Sequence, residues 1–246
     1  VAKRFPKWPT PDAIERKYRR MLREIVAKLR ERVEDELIAR LPMVVAEHGV
    51  RADSWVDDID RAIMAMSMAL DRDLRDARRE ALDIGNEVSE FNKRQMREIM
   101  RRAVGVNIMR SEPWLEDELR SFASENAQLI KSLPERSLSD IEGLAQRGVR
   151  GGQSASDIAK TIRDKLDTTK ARADLIARDQ VSKLNGQLTK KRQEAVGIST
   201  HQSVPSRDER VRASHRAMSD KLCRWDDDSV YSDDGGKTWK SRSSIG

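Results

Sequence analysis

The sequence predicts a mainly α fold, in which long antiparallel helices are followed by a small C-terminal α+β module with a β-hairpin. Three observations carry this. Apolar residues recur every three or four positions through most of the chain, the signature of amphipathic helices. The 246 residues are 37% charged, 37% hydrophobic and only 4% aromatic, which favours charge-laced helices over a thick globular core. After Gly197 the texture changes to short alternating runs and turn residues. Four segments follow: an extended N-terminal arm (1–12), a long helical hairpin (13–105), a helical domain (106–196) and the C-terminal module (197–246).

The arm holds Pro6, Pro9 and Pro11, which remove donors and push their predecessors into extended backbone, so it is not helical. Phe5 and Trp8 give it two large apolar anchors, for docking on a partner or for packing back on the same chain. Thr10 reads as an N-cap with Pro11 at the first helical position, opening a helix through Ile14, Tyr18, Leu22, Ile25, Leu29, Val33, Leu37 and Leu41. Pro42 is expected to end or kink it, and 47–49, with His48, to form a turn.

A second periodic run starts near Asp53 or Ser54 and continues to Ala103. Unbroken, it is about 50 residues and roughly 75 Å long, far above the globular average, with Gly85-Asn86 as a candidate break. Met64, Met66 and Met68 suit either an adaptable surface or the filling of a helix seam, the second being the commoner role. Gly105 stops this run. Ser111 caps a further helix that Pro134 ends, another covers 137–147, and Gly148, Gly151 and Gly152 make a turn. Ser154 and Asp157 form a capping-box-like start, and the last long helix is placed at 168–196, ended by Gly197. The three glycines lack the lysine and the preceding strand of a phosphate loop, so they are read as a turn.

Strands are expected at 198–204, 222–225 and 237–240. Between the last two, Ser232, Asp234, Gly236, Thr238 and Trp239 reproduce the Asp-box pattern S-x-D-x-G-x-T-W, in which a carboxylate and glycines stabilise a tight hairpin. Propeller glycosidases repeat that box in every blade; here it occurs once, and it argues for a hairpin only.

The densest mixture of charges is at 206–215, where Asp208, Glu209, Arg210, Arg212 and His215 stand together. A structural guanidinium–carboxylate network is the first reading, and acid–base or phosphate chemistry the second. There is no Gly-rich phosphate loop, G-x-S-x-G elbow or H-E-x-x-H pair to complete a catalytic site, so no catalytic residue is assigned and the chain is read as a non-enzyme. A metal at His215 and Cys223 lacks the four ligands that zinc wants, and neither metal nor cofactor is expected. The single Cys223 excludes an intramolecular disulfide and suits a reducing compartment. No apolar run approaches the roughly 18 residues that span a bilayer, and 1–11 lacks an apolar signal core, which reads as a soluble, non-secreted protein. The net charge of +6 permits nucleic-acid contact without requiring it.

The chain resembles the Mu F-like minor head proteins of tailed bacteriophages, the phage head morphogenesis family. The resemblance rests on A-R-D-Q-V-S-K-L-N at 177–185, on Leu188, Thr189, Arg192 and Gln193, on Gly197-Ile198, on D-E-R-V-R at 208–212 with His215, and on W-D-D at 225–227. The 5–18 arm and helix start, Pro113-Trp114, Asn126, Leu129-Ile130 and 152–159 follow the family's order of features. Two departures stand out. The polar 200–203 replaces an aromatic-containing strand, and Gly246 is reached without the glycine-rich stretch and cysteine pair common in the family, so no metal or disulfide role of that pair is carried over.

The resemblance implies a structural minor capsid protein of the virion, portal-associated inside the capsid and present in the host cytoplasm during assembly. It would aid head assembly, DNA packaging or DNA ejection. Expected partners are the portal protein, the major capsid protein or scaffold, and packaged double-stranded DNA, with no membrane. Phe5 and Trp8 are the portal-docking residues on this reading. Lys183, Lys190, Lys191 and Arg192 are the DNA-facing ones, with a solvated helix face as the alternative. Two rival classes remain: a sequence-independent DNA-binding protein, whose affinity would fall steeply with salt, and a toxin-like effector acting through 208–215.

Overall fold

A computed structural model describes residues 8–48, 54–105, 111–203 and 216–244. The helices are α1 (Asp12–Glu36), α2 (Leu41–His48), α3 (Ser54–Asp73), α4 (Ala77–Val104), α5 (Leu115–Arg150) and α6 (Ala155–Ala195); β1 (Thr200–Gln202), β2 (Leu222–Arg224), β3 (Val230–Ser232) and β4 (Lys240–Ser241) follow. This is the expected mainly α fold with a small β module. Two compact units divide the chain. One comprises Lys7–Lys93 and Glu112–Asn185; the other takes its described residues from Arg94–Ser111 and Gly186–Gly246.

In the helical unit the period of the apolar residues dictates the packing. On α1, Tyr18, Leu22, Val26, Leu29 and Val33 share one face and are buried. Of these, Leu29 and Val33 join a core with Leu41 and Val44 of α2, Trp55, Ile59 and Met66 of α3, Ile141 and Val149 of α5, and Ile158 and Ile162 of α6. Polar side chains record the register along its rim. Arg23 reaches Asp174 with two bonds of 2.6 Å, Arg30 reaches Asp167 at 2.5 Å, and Arg163 reaches Glu34 with two bonds of 2.8 Å. Each step forward on α1 is matched by an equal step back on α6, so the two run antiparallel. Lys165 with Asp140, and Asn126 with Gln180, set α5 antiparallel to α6 in the same way.

Several boundaries differ from those expected. Helix α1 stops at Glu36, a single 3-10 turn covers Ile38–Arg40, and Pro42 sits in the first turn of α2, where its missing N–H costs little. Glu47 and His48 belong to α2 rather than to a turn. The long second run is two helices, broken at 74–76, where Arg75 N bonds to Arg72 O and Ala77 N to Leu74 O. Gly85 and Asn86 lie inside α4: a Cβ on Gly85 would meet Phe122 Cδ1 at 3.0 Å, so this glycine admits the α5 ring.

Pro134 does not end its helix either. It is buried within the continuous α5, among the core residues Ile130, Leu133, Leu138 and Ile141 that hold both flanks in place. The start of α6 is at Ala155, and 168 lies within it. Ser154 Oγ accepts the Asp157 N–H at 3.2 Å and donates to Asp157 Oδ2 at 2.6 Å, the cap expected from the sequence. Gly197, at φ +82, ends α6 with Ile198 N on Gln193 O and Gly197 N on Glu194 O, a Schellman closure.

In the second unit the four strands form one antiparallel sheet in the order β1-β2-β3-β4. The register aligns His201 with Cys223, Cys223 with Tyr231, and Tyr231 with Lys240. Buried Cys223 and Tyr231 pack with Met218 on one face. The strand expected at 237–240 reduces to its last residue, and β3 is a strand beyond the three expected. The backbone donors of Lys237 and Thr238 go to Asp234 instead of to a ladder.

Candidate functional site

Among the described residues, several positions that carry the family resemblance fall in two polar clusters, one in each unit. In the helical unit, Tyr18 Oη donates to Asn126 Oδ1 at 2.8 Å, and Asn126 Nδ2 donates to Gln180 Oε1 at 3.2 Å and to Phe122 O at 2.9 Å. Tyr18 and Asn126 are fully buried, and burial pushes the phenol far above its ordinary range. A buried amide with its donors and acceptor engaged holds α1, α5 and α6 in a single register. Nearby, Asn92 Nδ2 of α4 donates to Asn185 Oδ1 of α6 at 2.9 Å, and Lys183 Nζ pairs with Glu125 at 2.9 Å.

In the second unit, the indole of Trp225 donates to Gln193 Oε1 at 2.9 Å and stacks on the His201 ring, centroids 3.7 Å apart with the planes 20° from parallel. This ties β1 and the end of β2 to the last turns of α6. The His201 pKa is held below its ordinary value, first by burial and then by the charges of Arg242 and Lys190. Arg224 grips Asp226 with bonds of 2.9 and 2.6 Å and lies over the Trp239 ring at 5.6 Å. Asp233 sits between Lys221 and Lys240.

The Asp-box residues come together at the turn between β3 and β4. Asp234 Oδ1 accepts from Ser232 Oγ at 2.7 Å and from the Lys237 and Thr238 N–H groups at 3.0 Å, while its Oδ2 accepts Thr238 Oγ1 at 2.6 Å. Ser232 Oγ in turn accepts the Gly236 N–H at 2.8 Å, with Gly235 and Gly236 at φ +77 and +91. These bonds hold the Asp234 carboxyl far below the usual carboxylate range, Thr238 contributing most. Such a carboxylate braces a turn and is too weak a base to accept a proton near neutrality.

Of the other sequence-predicted residues, Asp208, Glu209, Arg210, Arg212, His215 and Phe5 lie outside the described residues. Trp8 is half-buried, and its indole N–H finds no acceptor among the described residues. Arg192 is 3% exposed, so it does not stand on a DNA-facing surface; Lys190 pairs with Glu194 at 3.9 Å. Sequence reasoning missed the Gln193, His201 and Trp225 cluster. Gln193 and Trp225 each carry part of the family resemblance, but only folding joins residues separated by 32 positions. Among the described residues, no three His, Cys, Asp or Glu side chains gather as a metal would require.

Comparison with known proteins adds a family to this geometry. Residues 139–245 match the family described as phage Mu protein F like protein. Over 134 residues, 54% of the chain, the sequence is 34% identical to an uncharacterized protein of Haemophilus influenzae strain Rd. The aligned stretch covers 30% of that relative's length. No solved structure matches the chain.

Proposed function

We propose, from the premise that residues 139–245 belong to the phage Mu protein F like family, that this chain is a structural minor head protein of a tailed bacteriophage. Its place is at the portal vertex inside the capsid, where it aids head assembly, DNA packaging or ejection. The observation that carries the reading is the family match over residues 139–245. The matched segment contains the C-terminal part of α5, all of α6 and the sheet, and several of its polar side chains, Gln180, Gln193 and Asp234 among them, brace those elements. Long helices with charged outer faces suit contact with several neighbours in an assembly. No helix of the described residues is long and apolar enough to cross a membrane.

The test is co-expression with the portal protein of the same phage, followed by size-exclusion chromatography and native mass determination. A complex of defined stoichiometry that survives salt high enough to strip DNA is the expected result. A folded chain that elutes apart from the portal would overturn portal binding. Salt-sensitive retention on DNA in that case would favour the rival DNA-binding reading.

A further inference from the structure

The outward side of α3 is not an ordinary charged helix face. Met64 and Met68 stand on it, 66% and 62% exposed, one helical turn apart. Around them, exposed residues at 57, 61, 64, 68, 71 and 75 alternate in steps of four and three, the spacing of a coiled-coil seam. They read Asp57, Arg61, Met64, Met68, Asp71 and Arg75, the last lying in the turn just beyond α3. This order is complementary to its own reverse. Laid antiparallel about a two-fold axis beside Met66, Asp57 meets Arg75, Arg61 meets Asp71, and Met64 meets Met68. Asp60 and Arg72 form a further opposite pair on the rim in the same alignment.

We propose that this face of α3 is a self-association seam, pairing antiparallel with α3 of a second copy of this chain. Orientation and partner both follow from the charges. A parallel pairing would set Asp57 against Asp57 and Arg61 against Arg61, which is repulsive at each charged layer. An isologous antiparallel contact satisfies each layer twice by symmetry. The charges are available for it: Asp57, Asp71 and Arg72 make no ion pair within the described residues, while exposed Arg61 is held by half-buried Asp58, one turn back on the same helix, and by the Asp57 carbonyl at 3.2 Å. The flexible methionines supply the apolar centre that exposed surfaces rarely offer without a partner.

A seam on one helix about 30 Å long is small, so the association is weak and concentration-dependent. Sedimentation equilibrium of the full chain from about 1 to 200 µM is the experiment, covering the range in which small interfaces still associate. A reversible monomer–dimer equilibrium is expected. Met64→Glu should weaken it more than about tenfold, because each dimer loses two buried methionines. Arg61→Asp should weaken it as well, and adding Asp71→Arg in the same chain should restore it, since both pairs re-form with reversed sign. The restored double variant separates the seam from loss of the Asp58 pair, which Asp71 does not touch. A chain that stays monomeric throughout overturns the proposal, and so does a dimer indifferent to these changes. If Met64→Glu lowers helical circular dichroism, the charge-exchange pair, which leaves both methionines in place, decides.

Discussion

Two glycines within the long helices of this protein have opposite roles, and the space around each tells them apart. A Cβ on Gly148 of α5 would lie 2.6 Å from Ile158 Cγ1 and 2.9 Å from its Cδ1, so the missing methyl is what lets α6 start against α5. Gly186 of α6 has nothing within 4 Å of that position. Gly148→Ala is therefore expected to destabilise by about 1–3 kcal/mol through overpacking. Gly186→Ala should stabilise by roughly 0.5–1 kcal/mol, by removing backbone freedom from the unfolded chain. Paired thermal melts of the two variants check the sign. The sequence shows the same letter at both positions, and only the neighbour across the helix interface distinguishes them. Gly85 makes the same point: read alone it looks like a break, and in the structure it is a place of close approach to Phe122.

At the scale of the element, the helices declared themselves through periodicity and their ends did not. The apolar spacing located α1, α3 and α4 because burial of one face is a property of the segment. Glycine and proline misled where tertiary packing overrode a local preference: Pro134 is enclosed by core on both sides, so the surrounding contacts hold the backbone helical through it. The caps at Ser154 and Gly197 were legible because they depend on residues close in sequence. By contrast, the braces between elements join positions far apart, as Tyr18 with Asn126 and Trp225 with Gln193 do, and no local pattern announces them. The braces also differ in strength. Tyr18→Phe removes the hydroxyl that donates to the buried Asn126 oxygen and is expected to cost about 1–3 kcal/mol, the price of an unsatisfied buried acceptor. Arg23→Ala breaks two short bonds to Asp174 at an exposed rim and should cost less, because water replaces the partner on both sides. Urea denaturation of the two variants side by side tests that ranking.

Across the molecule as a whole, the response to acid is set by where the shifted groups lie. Asp226, Asp227, Asp233 and Asp234, all held below the ordinary carboxylate range, crowd into the sheet of the second unit. Each binds protons more readily when unfolded, so its contribution is present above about pH 4 and fades as the pH falls further. His201 acts earlier. Its folded pKa lies below the unfolded value, so the unfolded chain takes up the proton first, and the stability tied to the neutral ring declines as the pH drops below about 6.5. In the helical unit the signs are mixed: Glu34 and Asp174 are lowered by Arg163 and Arg23, while burial and the neighbouring Asp60 raise Glu142. The sheet should therefore loosen before the helices on acidification, starting in the range where histidine titrates. The Trp225 indole resonance, which reports the stack on His201 and the bond to Gln193, is the probe to follow against helical circular dichroism. His201→Phe keeps an aromatic ring on Trp225 and removes the proton, so the change between about pH 5 and 7 should vanish while the one below about pH 4 remains. A wild-type sheet that holds unchanged to pH 4 would place the cost of protonating His201 too low to matter.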